Sequence, residues 1–209
     1  MSTATVNGSR GTPSASMVES TSGFMGVVLA GGRSTRMGRD KALLELAGQT
    51  LLDRSINLLR QAGAAPIVVS GHHPSYDCVP DLWEGRGPLG GLASVLKARP
   101  LSPGRGLIVL PVDAPGLRVS DLGRLMDCLT EDGAAACFEG HPLPLGLRSD
   151  KGTLGRLEAI LRDPIQKASV QRFAATASLT VLPAENVDLR NLNAPADLQA
   201  FSRMQKGDW

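Results

Sequence analysis

An α/β fold built on a mostly parallel sheet is predicted by three features of the chain. Short apolar runs at residues 26–29, 66–70 and 106–112 are rich in Val, Ile and Leu, each right for a buried strand and too brief for a core helix. Between them, apolar residues recur at helical spacing, so strand and helix alternate, the pattern that right-handed crossovers join into a parallel sheet. Glycine-rich loops then stand at strand-to-helix junctions near residues 31 and 87.

The elements follow in order. Residues 1–22 are rich in Ser, Thr, Gly and Ala, show no periodicity, and lack the apolar core of a secretory signal, so they read as a disordered extension. Residues 23–209 read as one domain, a size that buries a full core. Gly26–Leu29 is the first strand. Leu51, Leu52, Ser55, Ile56, Leu59 and Ala62 share one face of a helix that Gly63 stops, and Pro66–Ser70 is the second strand. His72 and His73 follow as exposed turn residues, with no further metal ligands nearby. Leu89–Ala98 is a helix and Gly106–Val112 a buried strand ending at Asp113. A helix over 121–129, strands over 134–138 and 143–148 forming an antiparallel pair, helices over 153–162 and 169–177, and a strand over 179–182 complete the alternation.

Composition narrows the function. Apolar residues make up 42% and charged residues 20%, ordinary for a globular protein, and the net charge of +2 supplies no global field for nucleic acid or a membrane surface. Aromatic residues are only 3%, which removes base stacking on single strands as a reading. Any anion site must therefore be local. Cys78, Cys128 and Cys137 have no Cys-x-x-Cys spacing and read as free, packed thiols of a reducing cytoplasm.

The local site is the stretch from Leu29 to Lys41. A strand empties into Gly31-Gly32, where exposed N–H groups can approach a ligand, and Arg33, Arg36, Arg39 and Lys41 follow. This is the chemistry a polyphosphate requires. It is not a P-loop, because Gly32 and Gly38 are one residue too far apart and Arg39-Asp40 precedes Lys41. Nor is it the dinucleotide fingerprint, because Gly31 and Gly32 are adjacent. In an open α/β sheet the ligand crevice lies at the carboxyl ends of the strands, which would bring Asp113 to the same place. A carboxylate facing phosphates needs a cation between them, so Asp113 is the candidate Mg²⁺ ligand.

Leu29-Ala-Gly-Gly-x-Ser-x-Arg-Met-Gly-x-Asp-Lys41 resembles the signature of the molybdenum cofactor guanylyltransferases, a branch of the nucleotidyltransferases. Asp81 with Gly85-x-Gly87-Pro88-Leu89, Pro111-x-Asp113-x-Pro115, and Asn191-x-Asn193-Ala-Pro195-x-Asp197 are similar to that family's later motifs. The resemblance implies a three-layer α/β/α sandwich, Rossmann-like and of the nucleotide-diphospho-sugar transferase type. It implies transfer of GMP from GTP to molybdopterin or Mo-molybdopterin in the cytoplasm with Mg²⁺, and delivery to molybdoenzyme apoproteins or their chaperones. Carried over, Leu29, Ala30, Gly31 and Gly32 would hold the nucleotide through the backbone, Arg36 would bind the triphosphate, and Lys41 would act at the α-phosphate. Asp81, Gly87, Pro88 and Leu89 would serve guanine recognition, Gly90 and Gly91 would let a base or ribose lie against the backbone, and Ser70, where the family often has Asn, would contact the nucleotide. Gly146 departs from the family's usual Ala in the stretch after His141. Asn191 and Asn193 would reach the phosphates or the acceptor; equally, Asn193 would cap the terminal helix, with Pro195 in its first turn. The rival readings are a cytidylyltransferase on the same scaffold and a non-catalytic nucleotide-binding module. Leu-Ala-Gly-Gly and Gly-Pro-Leu-Gly-Gly favour guanine, and Lys41 with Asp113 favours turnover.

Overall fold

The computed structural model describes residues 23–31 and 40–206. The extension 1–22 and the loop residues Gly32, Arg33, Arg36, Gly38 and Arg39 lie outside the described residues.

The chain order is β1 (Phe24–Leu29), a 3₁₀ turn (Lys41–Leu43), β2 (Glu45–Leu46), β3 (Gln49–Thr50), α1 (Leu51–Gln61), β4 (Ala64–Ser70), β5 (Cys78–Val79) and α2 (Gly87–Ala98). It continues through β6 (Gly106–Pro111), α3 (Val119–Asp127), β7 (Ala134–Phe138), β8 (His141–Arg148), α4 (Thr153–Arg162), α5 (Val170–Ala174), β9 (Ser178–Leu182) and α6 (Pro195–Lys206). Helix starts follow local chemistry. Thr50 Oγ1 accepts from the Asp53 N–H at 3.0 Å to cap α1, and Ser169 Oγ accepts from the Arg172 N–H at 3.1 Å to cap α5. Gly63, with φ +87°, ends α1 in a conformation open to glycine.

Seven strands form one sheet in the order β5-β4-β1-β6-β8-β7-β9, and β2 with β3 makes a separate small hairpin. β8 alone runs against its neighbours; β5, β4, β1 and β6 are mutually parallel, and β7 and β9 are parallel to each other. Neighbouring strand residues bury on opposite faces, as the period of two requires. Val28, Val69, Ile108 and Ala136 pack under Leu59 of α1, Leu122 and Leu125 of α3, and Phe201 of α6. Val27, Val68, Val109 and Ala135 pack under Leu92 of α2, Leu157 of α4 and Phe173 of α5. The result is the expected three-layer α/β/α arrangement. Burial on both faces explains why these strands read as unbroken apolar runs. Each fully buried Leu or Val contributes about 1.5–3 kcal/mol by leaving water.

Gly146 has a structural account: it sits at the middle of β8 between Ile108 and Ala136, and a Cβ there would lie 3.3 Å from Leu125 Cβ of α3. None of the described helices is long and apolar enough to cross a membrane.

Candidate active site

The parallel strands β4, β1 and β6 end at Ser70, Leu29 and Pro111, and backbone hydrogen bonds continue past those ends. The Ala30 N–H donates to the Ser70 carbonyl at 3.1 Å, and the Val112 N–H donates to the Leu29 carbonyl at 3.3 Å. These bonds hold the first glycine loop and the start of the Asp113 turn side by side at the carboxyl edge of the sheet.

Three distant segments meet there. Lys41 opens the 3₁₀ turn after the loop, and its Nζ lies 2.6 Å from Asp113 Oδ2 and 3.0 Å from Asn193 Oδ1. The Leu192 N–H donates to the Asp113 carbonyl at 2.9 Å, so the backbone itself sets Asn193 beside Asp113. The ammonium and carboxylate side chains are 15% and 20% exposed, open enough for a ligand to reach and shielded enough to weaken screening by salt. Lys41 is placed by its neighbour: Asp40 Oδ1 accepts from the Ala42 N–H at 3.0 Å and caps the turn.

Asp40, given no role from the sequence, shapes the turn that carries Lys41, and His73 departs from its expected place. His73 is not an exposed turn residue; it is 6% exposed, and its Nε2 lies 3.9 Å from Asp40 Oδ2. The available signal was local, since an Asp whose carboxylate can meet an N–H two residues on is a strong turn and cap former. His72 is exposed as expected.

The remaining candidates divide. Gly31 is exposed and Ala30 half-buried at the strand end, while Leu29 is buried. Gly32 and Arg36 lie outside the described residues. Gly87 and Pro88 are exposed in the first turn of α2, but the Leu89 side chain is fully buried and available to a nucleotide only through its backbone. Asp81 Oδ1 accepts from the Trp83 N–H at 2.8 Å and from Ser94 Oγ at 3.2 Å, so this carboxylate braces the loop ahead of α2. Ser70 is 1% exposed and packed rather than presented. A Cβ on Gly91 would lie 2.3 Å from Ser70 Oγ, and one on Gly90 would lie 2.8 Å from the Trp83 carbonyl oxygen. These two glycines therefore admit the close approach of α2 to β4 and to its own leading loop, not a base. α2 also begins at Gly87 rather than Leu89, with Pro88 in its first turn.

Asn193 does not cap the terminal helix with its side chain. Its side chain goes to Lys41, and the helix start is capped by Asp197 Oδ2, which accepts from the Asn193 and Ala194 N–H groups at 2.7 and 2.8 Å. Asn191 is exposed. Just upstream, Arg190 forks onto Asp188, with Nε 2.8 Å from Oδ1, and holds that carboxyl below the usual carboxylate range. A Cβ on Gly116 would lie 2.4 Å from Asp188 Cγ, so the turn after Asp113 and the segment before Asn193 are in direct contact.

Among the described residues no cluster of three or more His, Cys, Asp or Glu side chains could hold a metal by itself. The donors that are present suit Mg²⁺, a hard ion content with one or two carboxylates plus phosphate oxygens and waters. Asp113 supplies a carboxylate and Asn193 an amide oxygen, both now shared with Lys41.

Residues 26–178 match the family model described as MobA-like NTP transferase domain. The chain is 39% identical over 175 residues to a molybdenum cofactor guanylyltransferase of Xanthomonas euvesicatoria pv. vesicatoria, covering 82% of this chain and 90% of that one. It is 35% identical over 195 residues to a probable molybdenum cofactor guanylyltransferase of Opitutus terrae, covering 87% and 96%. Its fold is similar to that of molybdopterin-guanine dinucleotide biosynthesis protein A from Archaeoglobus fulgidus (TM-score 0.67, 17% identity, 88% of this chain and 100% of that one). A 2-C-methyl-D-erythritol 4-phosphate cytidylyltransferase from Thermus thermophilus shares the fold as well (TM-score 0.65, 19% identity, 88% and 99%).

Proposed function

The chain belongs to the MobA-like nucleotidyltransferases, in the branch of the molybdenum cofactor guanylyltransferases, and we propose that it transfers GMP from GTP to the terminal phosphate of molybdopterin or Mo-molybdopterin. An oxygen of the acceptor phosphate attacks the α-phosphorus, the bond from that phosphorus to the α–β bridging oxygen breaks, and pyrophosphate leaves. The observation that carries this reading is the meeting of Lys41, Asp113 and Asn193 beside the first glycine loop.

Transfer at phosphorus asks a protein for positioning and for charge placed in advance. Lys41 offers an ammonium placed at the carboxyl edge of the sheet by two oxygen acceptors, and it would face charge growing on the α-phosphate. Asn193 would keep that ammonium in place with Asp113 engaged on a metal ion. Asp113 would hold Mg²⁺, with phosphate oxygens and waters completing its shell, and the bound ion would offset the negative charge of the triphosphate. The N–H groups of Gly31 and Gly32 and the cation of Arg36 would receive the phosphates, with Ala30 held in line by its bond to the Ser70 carbonyl, and the exposed backbone at Gly87 and Pro88 would meet guanine. The product's route to molybdoenzyme apoproteins or their chaperones, and a cytoplasmic setting, belong to the same reading.

Equilibrium binding of GTP, CTP and NAD, with and without Mg²⁺, tests it. GTP bound in preference to CTP and strengthened by Mg²⁺, followed by Mg²⁺-dependent release of pyrophosphate with molybdopterin, is the expected result. Preference for CTP would overturn the guanine assignment, and nucleotide binding without turnover would overturn the enzyme.

A further inference from the structure

A second polar cleft, of about 180 Å³, opens between α1 and the turn that follows Asp113. Its walls carry Gln49, Arg54, Asn57 and Gln61 on one side and Ala114 and Pro115 on the other. Among the described residues no carboxylate lines it.

Arg54 is the anomaly. Its Nε is buried without a hydrogen-bond partner among the described residues. Arg105, Arg156 and Arg172 also have an unpartnered buried nitrogen, but each is anchored elsewhere on its guanidinium: Arg105 on the Ala65 carbonyl, Arg156 on Asp150, Arg172 on Asp163. For Arg54 none of the hydrogen bonds or ion pairs of the described residues involves the guanidinium. A buried donor left unmade costs roughly 1–3 kcal/mol, and more when charged. The planar fork of an arginine is matched by phosphate or carboxylate oxygens. Three primary amides around it add donors and no competing negative charge. At roughly 30 Å³ per water, the cleft has room for a tetrahedral oxyanion with part of its hydration.

The geometry points to a phosphate-type oxyanion site centred on Arg54, separate from the Lys41–Asp113–Asn193 centre and linked to it along the chain by Ala114 and Pro115, the two residues after Asp113. Two sources supply this chemistry: free orthophosphate, and pyrophosphate of the kind a nucleotidyl transfer releases. The site rests on Arg54 and its surroundings, and stands whether or not the proposed transfer does.

The test is titration of the full chain with orthophosphate, and separately with pyrophosphate, at constant ionic strength, observed by ¹H–¹⁵N spectra of the arginine Nε–H groups. The Arg54 resonance, identified by its loss in Arg54→Gln, is expected to move saturably with either anion and to stay still with chloride. In Arg54→Gln, the Ser55 and Asn57 amides should report binding weakened by about tenfold or more, since a charge-assisted contact of this class is worth at least that. Arg54→Lys, which keeps charge but loses the fork, should fall between. Tighter binding of pyrophosphate assigns the site to the by-product; tighter binding of orthophosphate assigns it to the free ion. An Arg54 resonance that stays still while anions bind elsewhere, or unchanged binding in Arg54→Gln, overturns the proposal.

Discussion

Gly91→Ala is the sharpest test of how α2 is set against the sheet. Two effects oppose. Alanine is favoured over glycine in a helix interior by about 1 kcal/mol. Against this, the new methyl would stand 2.3 Å from Ser70 Oγ, 3.2 Å from Ser70 Cβ and 3.3 Å from Leu29 Cδ2. Turning the Ser70 hydroxyl relieves only the first of these, and the contact to Ser70 Cβ persists in every rotamer, so the rest must come from shifting α2 or β4. Overpacking of this kind costs roughly 1–3 kcal/mol, and with three contacts in one place the upper half of that range is expected. The net is a loss of about 1–2 kcal/mol, or a urea midpoint lower by about 0.5–1 M at an m of roughly 2 kcal/mol/M. Ser70→Ala in the same chain removes the shortest contact and should return part of the loss, so the two substitutions should be non-additive by about 1 kcal/mol. A Gly91→Ala protein as stable as the parent, or more so, would show that helix propensity decides here and that the close approach has been overvalued.

Lys41→Ala should lower turnover about 100- to 1000-fold with its unfolding midpoint little changed, measured as pyrophosphate release; near-parental turnover would remove Lys41 from the chemistry. Asn193→Ala frees one side of that ammonium and should lower kcat by about tenfold while leaving GTP affinity nearly intact, because a positioning hydrogen bond to a charged group is worth about that much. Asp163, held at about 2 by the Ile165 N–H, the Arg172 side chain and the Gln166 N–H, has a folded pKa below its ordinary 3.8. Its contribution to stability is therefore full above the unfolded value and lost as pH falls toward the folded one. Asp163→Asn should flatten the fall in unfolding free energy between about pH 4 and pH 2, and an unchanged slope would contradict the assignment.

Much of this was legible in the chain because the signals were local. Continuous apolar runs marked strands buried on two faces, and the glycine pair falls at the end of β1, where the sequence placed it. What was not legible was mostly non-local. The hairpin β7–β8 could be read from its turn, but its docking with β8 beside β6 depends on contacts such as Gly146 under Leu125. His73 carries no sign of burial in its own neighbourhood; the packing of the loop after β4 buries it. Gly90 and Gly91 show why a glycine is ambiguous in sequence: the same missing Cβ admits a ligand or a neighbouring backbone, and here it is Ser70 and Trp83 that approach. Asn193 is ambiguous in sequence between a cap and a phosphate or acceptor contact, and only the fold shows that the carboxylate of Asp197, in the first turn of α6, takes the N–H groups a cap would serve.

The bond from the Leu192 N–H to the Asp113 carbonyl also bears on how the centre can come apart. All nine strands lie before residue 183, so the pairing of the sheet does not use the segment after β9. With that segment lifted away, Lys41 keeps Asp113 as a neighbour but loses the amide 152 positions along the chain. A local opening there would leave the sheet paired and the centre undone, which makes the segment a latch on Lys41.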